Sequence, residues 1–246
     1  MRGTRWLVLA ATAAALVGAG AAAPALLRRS DAFGVRRVEV VGTRFLAPHE
    51  ALAWSGITAA SSVFDDPETW RAALLRHVLV ADAQVERRLP GTVVLRVVEA
   101  VPVALVAAPE LRPVDAAGRL LPIDAAGADL DLPVLAVEPT IQDGAVADDV
   151  ALGLIALLAA VQRADPDLAG RISTVEPARG GGVLVVLREP AGLEALLPAD
   201  GGEPPLRELR AALADLTVRG ELAAVRRVDV RFRDQAIISF THSATS

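Results

Sequence analysis

Residues 83–98, AQVERRLPGTVVLRVV, read as two strands around a tight turn. Thr92–Val98 is rich in β-branched residues, Ala83–Arg88 is the shorter partner, and Leu89-Pro90-Gly91 supplies the reversal. Working upstream, VRRVEVV (Val35–Val41) is a further β-branched run, stopped by Gly42. Two helices are expected in between. Pro48–Trp54 has proline at its first position and Gly56 as its stop. Asp66-Pro67-Glu68 opens the second helix with an Asp cap, a first-turn proline and an acid at the positive helix end. This helix is expected to run through Trp70, Leu74, Leu75 and Val78, whose spacing makes one buried stripe. The order β-α-α-β-β predicts a small α+β unit with both helices on one face of its sheet.

Downstream the pattern changes at Glu99–Val106, where Pro102 marks a domain boundary or an edge position. Arg112–Val114, Arg119–Ile123 and Leu132–Val137 are expected to be extended, with a turn at Asp115-Ala116-Ala117-Gly118. Asp148–Arg163 and Pro205–Arg219 carry leucines in helical register. Ile172–Glu176 pairs with Val183–Arg188 around the Pro177–Gly182 loop, and Val225–Phe232 with Ala236–Phe240 around Arg233-Asp234-Gln235. The polar tail 241–246 is expected to be disordered.

The chain has 246 residues, enough for one or two domains, and 53% of them are hydrophobic, which excludes a mainly disordered chain. Cys is absent, which excludes disulfides and Cys-based metal sites or nucleophiles. Every basic residue is Arg, and the net charge of −5 argues against a polyanion binder. Residues 1–29 hold four Arg and no acid. Between the Arg pairs, Trp6–Leu27 runs uncharged for 22 residues. As a helix that is about 33 Å, sufficient for a hydrocarbon core of about 30 Å. An uncleaved anchor and a signal peptide cut at Ala21-Ala22-Ala23 compete here, and Pro24 would hinder that cut. Under either, the bulk of the chain is exported.

A search for chemistry finds little. His49, His77 and His242 lack metal-ligand spacing, and neither HExxH nor GxSxG is present. His49 reads as a solvated helix residue and His77 as a helix-end residue. Ser55 lacks a neighbouring base in sequence. Asp65-Asp66 and Asp148-Asp149 fall where caps are needed. Gly180-Gly181-Gly182 precedes a strand, whereas a phosphate cradle precedes a helix. The basic pairs Arg36-Arg37, Arg87-Arg88 and Arg226-Arg227 have no aromatic stripe, so no nucleic-acid partner is expected. No catalysis, cofactor, metal or small-molecule ligand is expected either.

A binding module remains. Ala236-Ile237-Ile238-Ser239-Phe240 is apolar and has neither the charge nor the proline that blunts an edge strand. The pattern alone leaves open whether it is an edge or a covered strand.

Val35–Gly42, then VERRLPGTVVLRVVE (Val85–Glu99) leading into Pro102-Val103-Ala104, Val114-Asp115 with Gly118, Leu132–Leu135 and Val228-Asp229-Val230-Arg231-Phe232 come in an order that resembles the FtsQ/DivIB family of bacterial cell-division proteins. The resemblance implies a cytoplasmic tail (1–5), a single transmembrane helix (6–27), a POTRA domain (34–103) and a mixed β domain with two helices (104–240). It implies a non-enzymatic protein of the inner membrane at the septum, with the bulk of the chain periplasmic. It further implies that the β domain binds the division proteins FtsB and FtsL by strand addition, and so influences septal peptidoglycan synthesis. Carried over by position, the contact residues are Arg231, Phe232, Ala236, Ile237, Ile238, Ser239 and Phe240. The family pattern favours Tyr where Phe232 stands, so the ring is kept and the hydroxyl lost. The alternative is a periplasmic or outer-membrane POTRA-type assembly or chaperone factor. An outer-membrane member would need a barrel of at least about eight strands, for which residues 105–246 offer too few.

Overall fold

A computed structural model describes residues 31–199, 202–232 and 235–241. The expected tail 1–5, the span 6–27, turn residues 233 and 234 and the terminal residues 242–246 lie outside them. Among the described residues no helix is long and apolar enough to cross a membrane. The chain divides into two units after Ala100.

In the first unit β1 (Arg37–Val41), α1 (Pro48–Ser55), α2 (Pro67–Leu74), β2 (Val80–Arg88) and β3 (Thr92–Glu99) follow in the order read from the sequence. β3 is central, parallel to β1 and antiparallel to β2. α1 packs on β1 and α2, and α2 on β2. Ala51, Trp70 and Leu74 are buried on the helices, and Val93, Leu95 and Val97 on β3. α2 starts as its sequence demands, with the Asp66 carboxylate accepting the Glu68 N–H. It ends at Leu74, short of Val78. Successive turns, with the Arg76 N–H on the Ala73 carbonyl and the His77 N–H on that of Leu74, swing the chain into β2. Burial of Leu79 and Val80 there outweighs one more helical turn. The Glu99 carboxylate accepts the N–H groups of Arg44, Phe45 and Leu46 at 2.8–3.0 Å, tying the end of β3 to the loop before α1.

The second unit contains β4 (Pro102–Ala107), β5 (Leu111–Asp115), β6 (Val134–Leu135), β7 (Ile141–Gln142), β8 (Ala145–Val146), α3 (Asp149–Ala164), α4 (Pro166–Gly170), β9 (Ile172–Pro177), β10 (Val183–Leu187), β11 (Glu194–Leu197), α5 (Glu203–Val218), β12 (Val225–Phe232) and β13 (Gln235–Phe240). Pro102 and Val103, read above as the end of the first domain, open β4. β4 lies between β5 and β6, so Pro102 is not on an edge strand. It stands at the strand's first residue, where a missing N–H is tolerated. The eight-stranded mixed sheet has the order β13-β12-β11-β10-β9-β6-β4-β5, and β7-β8 form a separate ribbon. α3 packs on β4 and β9, and α5 on β11, β12 and β13. One apolar core gathers Leu154, Leu158, Leu209 and Leu216 of these helices with Val185, Leu197, Val228 and Val230 of the sheet. The helix α4 and the strand β11 were not legible from the periodicity. β11 is only four residues long, and it pairs parallel with β12, so α5 serves as the crossover between them.

Candidate functional site

β13 is the outermost strand of the eight. Its one partner among the described residues is β12, antiparallel, with Ile238 opposite Val228, Ile237 opposite Asp229 and Ser239 opposite Arg227. Because side chains alternate, Ile238 faces the helix-covered side and packs on the core, whereas Ile237 and Ser239 face the other side. The strand is exposed along its length except at half-buried Ile238. Ile237 and Phe240 stand 48% and 47% exposed, and Phe232 at the end of β12 is 50% exposed. Alternate residues of such a strand turn N–H and C=O outward, so a six-residue edge offers roughly six hydrogen-bonding groups to an incoming backbone.

The strand beneath is held by charge. Asp229 is buried at 9% exposure, on the face that the helices leave uncovered. Arg231, two residues on and therefore on the same face, donates Nη2 and Nε to the Asp229 carboxylate at 2.7 and 3.0 Å. Nη1 of Arg231 reaches the Gly181 carbonyl at 3.0 Å. Arg231 holds the Asp229 carboxyl below the usual carboxylate range, chiefly by this hydrogen bonding, and its own guanidinium is raised in return. Arg227 donates Nε to Glu194 of β11 at 2.7 Å. Together with Arg179, Glu176, Leu184 and Leu196, these arginines line a concavity of about 520 Å³ beside the edge. Gly182, at φ +87°, lets the β9–β10 loop close against this site, because a Cβ there would overlap the Leu197 carbonyl oxygen.

The structure thus places Ala236–Phe240 on the outermost strand and Arg231 and Phe232 on β12 beside it. Asp229, Gly181 and the Arg227–Glu194 pair were not foreseen as part of the site. The two-residue spacing of Asp229 and Arg231 on a strand is the signal that could have found the first. The other polar residues singled out from the sequence have local roles. Asp66 caps α2, and Asp148 caps α3 by accepting the Ala151 N–H at 2.8 Å. Asp65 accepts the Ser62 N–H at 2.8 Å. The Ser55 hydroxyl donates to the Leu52 carbonyl at 2.7 Å. His77 lies edge-to-face with Trp54, 5.1 Å between ring centroids, and its Nδ1 accepts the Leu79 N–H. Among the described residues no group of three or more His, Asp or Glu is placed to hold a metal ion.

The sequence profile of the POTRA domain, FtsQ-type, matches residues 33–100, within the first unit. Three curated proteins named "Cell division protein FtsQ" are similar over longer stretches. That of Syntrophotalea carbinolica is 32% identical over 138 residues, 55% of this chain but only 49% of the relative's own length. That of Myxococcus fulvus is 28% identical over 89% of this chain and 77% of the relative. That of Anaeromyxobacter sp. (strain K) is 30% identical over 83% of this chain and 70% of the relative. Domain order, the matched first unit and a likeness that extends through the second unit agree: this chain belongs to the FtsQ family of cell-division proteins.

Proposed function

We propose that this protein is a non-enzymatic, membrane-anchored scaffold of the division machinery that binds FtsB and FtsL by strand addition at β13. The observation that supports this reading best is the position of β13 as an outer strand that no segment covers among the described residues, without charge or proline. Affinity would come from main-chain hydrogen bonds, each contributing about 0.5–1.5 kcal/mol net. Selectivity would come from side chains alternating beside Ile238 and Phe240 on one face and beside Ile237 on the other. The Asp229–Arg231 pair keeps β12 fixed, so that the edge is presented in one register. Residues 6–27 would anchor the protein in the inner membrane, with both units periplasmic at the septum. Held there, the partners would help control septal peptidoglycan synthesis carried out by other enzymes.

The test is a titration of the full chain with the extracytoplasmic segment of FtsB, comparing the native sequence with Ile238→Pro. Loss of binding is expected in a variant that still unfolds cooperatively, at a lower midpoint because Ile238 packs on the core. Equal affinity in a folded variant would reject the site.

A further inference from the structure

The geometry points to a contact of the first unit with lipid: the end of its sheet at the Leu89-Pro90-Gly91 turn docks on the membrane surface and binds anionic headgroups. The contact rests on the anchor proposed above, because residues 6–27 would bring this end of the unit to the bilayer.

Three stretches of chain meet at that end. Residues 32–36 enter it, with the Val35 N–H on the Ser61 carbonyl and the Val63 N–H on that of Phe33. The turn after β2 closes on the same segment, where the N–H groups of Arg36 and Arg37 reach the Gly91 carbonyl at 2.8 and 3.2 Å. A Cβ at Gly91 would lie 2.8 Å from the Gly34 carbonyl oxygen, so the entering chain and the turn are in close contact. Nη1 of Arg87 donates to the Val63 carbonyl at 3.4 Å. Arg37 on β1 and Arg88 on β2 stand opposite Thr92 from its two sides. Arg36, Arg37, Arg87 and Arg88 are thus gathered around one turn, and all four are exposed. Arg88 pairs with Glu39 at 3.3 Å. Neither Arg37 nor Arg87 has an acid partner among the described residues. Asp65, the acid that follows the loop, already accepts the Ser62 N–H at 2.8 Å. At the tip Leu89 is 64% exposed. One exposed leucine is ordinary on its own. Ringed by arginines, it has the make-up of an interfacial contact, in which an apolar side chain enters the headgroup layer while guanidinium groups meet phosphate.

The tether decides the occupant. Residues 28–30 separate the proposed span from Asp31, and two of them are Arg28 and Arg29. From Leu27 to Asp31 a fully extended chain covers at most about 14 Å. The headgroup layer takes up about 5–8 Å of that. What is left is comparable with the screening length of about 8 Å at physiological ionic strength. The arginines around the turn therefore stand where the field of an anionic bilayer is still felt.

The absence of native Cys allows a single label to be placed. The full chain carrying Leu89→Cys, labelled with a polarity-sensitive fluorophore, is inserted in nanodiscs of phosphatidylcholine, alone or mixed with phosphatidylglycerol. Val98→Cys, exposed near the far end of β3, is the reference. Emission at residue 89 should shift to the blue and be quenched by headgroup spin labels in the anionic discs only, with residue 98 unchanged. Salt at about 1 M, where the screening length is about 3 Å, should abolish the difference between the lipids. Arg37→Gln and Arg87→Gln should each lower the ratio of docked to free unit about fivefold, the contribution of one arginine near an anionic surface. The Arg37 side chain makes no hydrogen bond among the described residues, so that change alters charge alone. Equal signals in the two lipids, or at residues 89 and 98, overturn the contact and leave the anchor standing, as does a response that survives both arginine changes. A chain that does not stay with the discs removes the anchor reading, and the contact with it.

Discussion

The eight-stranded sheet has two edges, and they are built in opposite ways. At one, β5 contains Pro113, which has no N–H, and the chain folds back over it. The Leu121 N–H bonds the Pro113 carbonyl at 2.8 Å, the Asp115 N–H bonds the Arg119 carbonyl at 3.1 Å, and Val114 and Leu120 form an isolated bridge. That returning segment is in turn tied down, with the Leu120 N–H on the Gly144 carbonyl. At the other edge β13 has no covering segment among the described residues, no charge and no proline. The first unit uses a third device on β2. There the Ala83 N–H is taken by the Asp82 carboxylate and its carbonyl by Arg71, and these two side chains pair at 3.0 Å. Two strands guarded by different means, beside a third with no covering segment among the described residues, support the proposal that β13 is where another backbone adds, because an unguarded row of N–H and C=O groups is otherwise an aggregation hazard.

The contrast is broken most directly by exchanging the character of the edges. Ile238→Pro should weaken binding of the FtsB segment by about a hundredfold, equivalent to roughly 2.8 kcal/mol. Leu111→Pro, at the start of the guarded strand, should leave the titration unchanged. The next effect is on stability. Arg231→Ala strands the buried Asp229 carboxylate and should lower unfolding stability by about 1–3 kcal/mol in a denaturant titration. Adding Asp229→Asn to that variant should recover part of the loss, since the two residues form one unit.

Acid gives a reversible version of the same experiment. Asp229 titrates lower in the folded protein than in the unfolded chain, so its contribution is fully present above the unfolded carboxylate value and is lost as pH falls through the lower folded one. A stability-against-pH curve should show this acid limb, and Asp229→Asn should make it shallower, with Asp82 and Glu86, also held below the usual carboxylate range by backbone and arginine hydrogen bonds, left to contribute the rest. The smallest effect is expected at Phe232→Tyr. The ring is half exposed, so stability should change by less than about 0.5 kcal/mol. Partner affinity should rise only a few-fold if the restored hydroxyl makes one hydrogen bond worth about 1 kcal/mol. A larger gain would mean that the edge is recognised through Phe232 more than through the β13 backbone.

Legibility in the sequence followed the range of the interaction concerned. The strands around Leu89-Pro90-Gly91, the Asp66 and Asp148 caps and the long leucine stripes of α3 and α5 were readable, because each depends on neighbours within a few residues. The end of α2 at Leu74 was not, since burial of Leu79 and Val80 in the sheet overrides the helical stripe. β11 was not, because four residues carry too little periodicity to separate a strand from a loop. Of the candidate site, the apolar run Ala236–Phe240 was visible as a strand. Its neighbours Gly181 and Glu194 were not, because they come from separate stretches of chain, whereas Asp229 stands two residues from Arg231 on the same strand and was within reach of the period-two pattern.

The sequence by itself determined that two α+β units follow an uncharged N-terminal run, and that the last strand has no residue that would blunt an edge. These are properties of local composition and period. Only the tertiary structure decided that this strand lies outside the sheet. α5 carries the chain over from β11 and sets β12 beside it in parallel, so β12 already has a neighbour on one side and the hairpin return has only its outer side to occupy. Whether a strand is an edge is a statement about what is absent beside it, and no residue within the strand encodes that.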